Sequence, residues 1–178
     1  MKAQLADEII PVEVSHAVKA PSDGSVVYRA LTVQCDEGPR QSSFEVLQSL
    51  KPALPDGRHI TAGNASQLSD GEAALVLMDA SLAAQRELEP LGLFRGAVVT
   101  GCAPEKMDIR PVLAIPKQLN RFGLATEKID LWGINEAFAS QLLACTDALG
   151  IPIDRLNVNG GAIANGHDRR PLSWPCPA

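Results

Sequence analysis

The apolar residues of this chain change rhythm near Ala73. Before it, Ile9-Ile10-Pro11-Val12-Glu13-Val14 reads as a strand, with the proline favouring an edge or an early position. Val26 to Val33 reads as a second strand, reached through the turn chemistry of Pro21-Ser22-Asp23-Gly24. Ser42 followed by Glu45 is a capping box; it opens a helix in which Phe44, Leu47 and Leu50 share a face and which stops near Pro52. From Ala73 onward the pattern alternates. Ala73 to Met78 is a continuous apolar run of the kind that makes a fully buried strand. Asp79 to Leu91 is helical and Ala97-Val98-Val99 is a strand. Pro111 to Phe122 is a helix with Pro111 in its first turn, Val112, Ile115, Leu119 and Phe122 on one stripe, and Gly123 at its end. Ile129 to Ile134 is a strand, and Glu136 to Leu149 a helix carrying Phe138, Leu142, Cys145 and Leu149 on one side. Leu156-Asn157-Val158 is the last strand. That order predicts α/β layering, with the first sixty residues belonging to another layer.

The totals narrow the class. A chain of 178 residues makes one ordinary domain, or one domain with an attached fragment, and could bury roughly 70% of its unfolded surface. With 46% hydrophobic and 21% charged residues it reads as a folded globular chain. Aromatics are only 4%, so the core must be built from Leu, Ile, Val and Ala. A net charge of −5 without a basic block argues against nucleic acid and against an anionic membrane surface. No run approaches the roughly 18 apolar residues of a spanning helix, and acids stand where a signal peptide would be apolar. Cys35, Cys102, Cys145 and Cys176 lie far apart with no C-x-x-C, which disfavours zinc and disulfide frameworks and makes the cytoplasm the default compartment.

The residues that could do chemistry lie mostly in the last third. Asn135 stands just before a predicted helix, and His167 at the mouth of a glycine-rich turn after a strand. An Asn amide beside an imidazole can stabilise an oxyanion. Asn135 as a simple N-cap, and His167 as a surface histidine, need no such role. Ser66 could bond a ligand or cap the following turn. Cys145 sits on the apolar stripe as a core thiol, while Cys102, after a strand, is a nucleophile candidate with no His or cationic partner nearby in sequence. His16 and His59 stand in polar loop contexts.

Four strings are similar to the thiolase family: Thr61-Ala62-Gly63-Asn64-Ala65-Ser66 with Asp70-Gly71; Ala103-Pro104-Glu105-Lys106-Met107 with Pro111-Val112; Asn135-Glu136-Ala137-Phe138-Ala139; and Asn157-Val158-Asn159-Gly160-Gly161-Ala162-Ile163-Ala164-Asn165-Gly166-His167. The resemblance runs in order from about Gln4 to His167. It implies an α/β, thiolase-like layered fold in incomplete form. In that frame residues 1–60 are a remnant of the loop domain, 61–96 the last elements of the N-terminal domain, 97–167 a partial C-terminal domain and 168–178 an aberrant tail. It implies thiolytic cleavage of 3-ketoacyl-CoA or its reverse, Claisen condensation of acyl-CoAs. Coenzyme A or acyl-CoA is then substrate, no cofactor is held covalently, and the partner is a second copy or the missing N-terminal half. By the same resemblance Asn135 holds a water that, with His167, stabilises the thioester enolate oxygen; Ser66 contacts the pantetheine arm and Phe138 lines its tunnel.

The departures limit what the resemblance implies. A thiolase is about twice this length, and none of the four cysteines stands in the motif of the acyl-carrying cysteine. The second family cysteine, a base in a C-x-G motif, would follow His167. After Gly166-His167 the family continues with proline, but here Asp168-Arg169-Arg170 follows, a switch that a reading-frame shift would produce. Three readings remain: a split or truncated enzyme, a non-catalytic thiolase-like subunit that binds acyl-CoA or a partner chain, and the product of a decayed gene. The nucleotide sequence around the His167 codon and upstream of Met1 separates them.

Overall fold

The computed structural model describes residues 10–19, 23–34, 42–68 and 74–165. His167 and residues 168–178 lie outside them. The chain opens with an antiparallel hairpin, β1 (Val12–Lys19) and β2 (Val26–Val33), registered with Val12 opposite Val33 and Lys19 opposite Val26. At its turn the Asp23 carboxylate accepts the Ser25 backbone N–H at 3.0 Å and the Ser25 hydroxyl at 2.7 Å, and Gly24 takes a left-handed φ of +72°. Both strands are exposed along nearly their whole length. A two-stranded ribbon of this kind is marginal by itself.

α1 (Phe44–Gln48) is capped by Ser43, one residue later than the capping box predicts, because it is the Ser43 hydroxyl that accepts the Val46 N–H at 3.3 Å. Behind it, Leu47 and Leu50 press on Gly63: a side chain there would meet their methyl groups at 2.7 and 2.8 Å. α2 (Ala80–Gln85) is short. Asp79 caps it by accepting from the Ser81 hydroxyl and from the backbone N–H groups of Ser81 and Leu82. The predicted continuation to Leu91 fails because Glu87 turns left-handed at φ 53° and the Leu88 N–H folds back on the Ala83 carbonyl.

α3 (Arg110–Phe122) follows the predicted pattern, ending on Gly123 at φ 62°, with Val112, Ile115, Leu119 and Phe122 half-buried on one stripe. α4 (Ala139–Leu149) ends on Gly150 at φ 63° and buries Gln141, Leu142, Cys145 and Thr146. Leu142 joins Ile134 and Ile151 in the buried core, with Ile115, Trp132, Leu149 and Leu156 packed around them. α5 (Ala162–Asn165) is a single turn.

Two predicted features are overturned. The apolar run ending at Met78 is not a buried strand: Leu75, Val76 and Leu77 are each more than three-quarters exposed and belong to no ladder. Val99, in the predicted strand 97–99, is equally exposed, and the carbonyls of Gly96, Ala97 and Val99 accept from Gln118, Arg121 and Lys117 of α3 at 2.9, 3.0 and 2.9 Å. Burial of a strand is a property of its neighbours, and among the described residues these runs have none. Of the layered sheet, one parallel bridge is formed among the described residues, Trp132 to Leu156, with N–H to carbonyl bonds of 2.8 Å on either side.

Two predictions follow from this packing. Leu142→Ala is expected to lower stability in urea unfolding by about 2–4 kcal/mol, while Leu75→Ala costs under about 0.5 kcal/mol; equal costs would place the core elsewhere. The Ser81 hydroxyl, with the backbone N–H groups of Ser81 and Leu82, holds the Asp79 carboxyl below its ordinary value of 3.8. The cap therefore supports α2 fully above that ordinary value, and the support is lost as pH falls through the lowered one. The Ser81 amide resonance should titrate in that window in an NMR acid titration, and its failure to move would remove the cap.

Candidate active site

Three segments that lie far apart in sequence meet at one junction. The first is the turn Thr61–Ser66. Asn64 shapes it: its Oδ1 accepts the Thr61 N–H at 2.8 Å and its Nδ2 donates to the His59 carbonyl at 2.7 Å. The turn then pairs with the second segment through an antiparallel bridge between Ala65 and Phe138, in which Ser66 N–H donates to Ala137 O and Ala139 N–H to Asn64 O, both at 2.9 Å. The third segment, Asn157 to Asn165, closes on both. The Ser66 hydroxyl lies 3.0 Å from the Ala162 carbonyl and 3.2 Å from that of Gln67, so its single proton serves either.

Asn157 ties the second segment to the third. Its side-chain Oδ1 accepts the Ile134 N–H at 3.0 Å while Nδ2 donates to the Ile134 carbonyl at 2.8 Å. The amide thus adds one rung to the Trp132–Leu156 bridge where the backbone itself has turned away, at φ 45°. Asn tolerates that left-handed conformation better than most residues. The same Nδ2 also donates to Glu136 Oε1 at 2.8 Å, and Glu136 Oε2 accepts the Ile163 N–H at 3.3 Å. Gly161 lies so close that a Cβ there would overlap the Glu136 carboxylate.

The structure brings Ser66 and Phe138 together at this junction, with Asn135 three residues before the bridging Phe138 and exposed. His167 lies outside the described residues. Asn135 is not the helix cap that its position suggests. α4 begins at Ala139 rather than Glu136, its cap residue is Phe138, and no side chain caps it. The bridge to Ala65 holds Phe138 extended, at φ −142° and ψ 143°, so the helix cannot start earlier. The Ser66 hydroxyl spans to the Ala162 carbonyl. Cys145 is sealed in the core, with its sulfur 3.7 Å from the Asp108 carbonyl, and Cys102 is half-buried. Glu136 and Asn157 are the residues that reasoning from sequence missed. The signal was present in Gly160-Gly161, which makes room for a carboxylate, but it names no partner.

Family models match both halves of the chain: "Thiolase, N-terminal domain" over residues 1–81 and "Thiolase, C-terminal domain" over residues 88–172. The chain belongs to the thiolase family. Its thiolase relatives include the peroxisomal 3-ketoacyl-CoA thiolase B of Rattus norvegicus, 49% identical over 140 residues, which are 78% of this chain and 33% of that protein. The 3-ketoacyl-CoA thiolase of Bacillus subtilis is 44% identical over 167 residues, covering 93% of this chain and 42% of its own length. Among solved thiolases, the dimeric peroxisomal enzyme of Saccharomyces cerevisiae superposes with a TM-score of 0.78 at 43% identity, over 92% of this chain and 39% of that one. Human mitochondrial 3-ketoacyl-CoA thiolase in complex with CoA gives 0.72 at 41% identity, over 81% and 36%. The fold is the thiolase α/β fold, and the chain spans about a third to two fifths of the length of these relatives.

At the thiolase junction, Asn157→Ala is expected to cost about 2–4 kcal/mol, since it strips partners from the N–H and carbonyl of the buried Ile134 and from Glu136. Ser66→Ala, with one hydroxyl bond to lose, is expected to cost about 1 kcal/mol. Chemical denaturation of both variants checks the order, and a cheaper Asn157→Ala would show that backbone pairing alone holds the junction.

Proposed function

We propose that this chain supplies the enolate-stabilising part of a thiolase-type acyltransferase site, acting on acyl-CoA thioesters in 3-ketoacyl-CoA thiolysis or acetyl-CoA condensation. The observation that supports it is the convergence of the three motif segments through Ser66, Phe138 and Glu136. Condensation puts negative charge on a carbonyl oxygen, and fixed donors at that oxygen are worth roughly 10²–10³ in rate each. In this reading Asn135 holds a water that, with His167, is the donor pair. Ser66, whose proton is committed to a carbonyl, offers its lone pairs to an amide of the pantetheine arm, and Phe138 lines the arm's path.

The acyl-carrying step needs a thiolate beside a base, and the described thiols do not supply one. Cys145 is inaccessible and Cys102 stands outside the three converging segments. We therefore read the chain as binding acyl-CoA without turning it over alone, completed by an N-terminal thiolase half or held within a homo-oligomer. The exposed apolar runs at 75–77 and 99 favour such a partner chain. The proposed arrangement keeps 1–60 as loop domain, 61–96 as the end of the N-terminal domain and 97–167 as part of the C-terminal one. No helix among the described residues is long and apolar enough to cross a membrane. We place the chain in the cytoplasm, with the peroxisome of its rat relatives as the second compartment.

Calorimetric titration of the purified chain with CoA and acetoacetyl-CoA, beside a thiolysis assay, tests this. Expected are saturable binding of both and no thiolysis above background. Turnover abolished by Cys102→Ala would overturn the division of labour, and absence of binding would overturn the acyl-CoA reading.

A further inference from the structure

We propose that Glu136 is the positioning residue of this site, a carboxylate clamp that fixes the Asn135 turn against the glycine-rich turn leading to His167. The inference rests on the acyl-CoA reading above. Each oxygen of the carboxylate takes one neutral donor from the third segment: Oε1 the Asn157 amide at 2.8 Å and Oε2 the Ile163 N–H at 3.3 Å. The two donors flank Gly161, whose missing side chain is the space the carboxylate fills. A carboxylate accepts at both oxygens, whereas a Gln amide presents hydrogens to one of the two donors, so charge and shape together select Glu.

The geometry gives this contact a purpose that the remaining contacts do not have. Asn157 with Ile134 already joins the second and third segments through backbone groups, and Ser66 already joins the first to the third. Glu136 adds a bond from the residue directly after Asn135 to Ile163, four residues before His167. Their Cα atoms are about 3.8 Å apart along the chain, so pinning Glu136 limits where the Asn135 amide can go. Two donors that must meet one oxygen tolerate little slack, and a misplacement of about 1 Å can cost 10²-fold.

The test uses the full chain with Glu136→Gln, Glu136→Ala, Gly161→Ala and the double variant Glu136→Ala with Gly161→Ala. CoA lacks the acyl oxygen that the donor pair would meet, and acetoacetyl-CoA has it. Glu136→Gln is expected to reduce the preference for acetoacetyl-CoA over CoA by about tenfold, roughly 1.4 kcal/mol, with CoA affinity held within about twofold. Gly161→Ala, which displaces the carboxylate without altering it, is expected to do the same. The double variant should be less unstable than the sum of the single changes, since the added Cβ then has room. An unchanged preference, or an equal loss for both ligands, would overturn the positioning role and leave a structural one. Hydrogen exchange on the ligand-free chain reads the clamp separately: the Ile163 amide should be protected in the parent and exposed in Glu136→Gln. If the parent binds neither thioester nor CoA, the acyl-CoA reading falls and the clamp stands or falls on that exchange. Unchanged Ile163 protection in Glu136→Gln overturns it.

Discussion

One side-chain amide sets how the second and third motif segments of this molecule meet. Asn157 presents to Ile134 what a neighbouring strand would present, an acceptor for its N–H and a donor for its carbonyl. It does so at a position where the backbone has left the strand direction, and that departure is what sends Gly160 and Gly161 back under Glu136. Remove the amide and the rung beyond the Trp132–Leu156 bridge is lost, and the left-handed turn at Asn157 loses its side-chain anchor. An Asp could not substitute, since the oxygen standing in place of Nδ2 would face both the Ile134 carbonyl and the Glu136 carboxylate.

The rest of the chain is organised by what it lacks. Helices close their own backbone hydrogen bonds, so α3 and α4 form wherever the sequence favours them, and both end on glycines with φ near +60°. Strands need a neighbour. The runs at 74–78 and 97–99 have strand composition without a described neighbour, and three carbonyls of the second are taken up by Gln118, Arg121 and Lys117 instead. Between α3 and residues 129–132 a cavity of about 280 Å³ is left, lined by Ile115, Leu119 and Phe122 among others, and the buried polar atoms Gln118 Oε1 and Trp132 Nε1 on its wall have no hydrogen-bond partner. A closed layer would leave neither.

What was legible in the sequence divides along the same line. The body and C-terminus of α3 were readable because Pro111, the stripe from Val112 to Phe122 and Gly123 are local signals. The start of α4 was misread by three residues: Asn135 looked like a cap, but pairing with Ala65, seventy-odd residues away, claimed Phe138 first. The apolar character of Leu75 to Leu77 was read correctly and their burial was not, because composition reports preference and only partners deliver burial. For the candidate site, the motif resemblance names Asn135, His167, Ser66 and Phe138, and it passes over Glu136 and Asn157 within the same strings. Their importance lies in a contact between segments, and no spacing rule connects residue 136 to residue 161.

The separations of these contacts also order events in time. The bonds between α3 and residues 96–99 close loops of 18 to 24 residues, whereas Ser66 to Ala162 closes one of 96. A fourfold longer loop costs only about 1.2 kcal/mol more entropy to close, but contacts that distant form late because nothing nearby reports that they are correct. The helices therefore assemble first and the junction of the three motifs last. Until Ser66 reaches Ala162, the three motif segments stay unjoined, so the candidate site is the last part of the chain to take its shape.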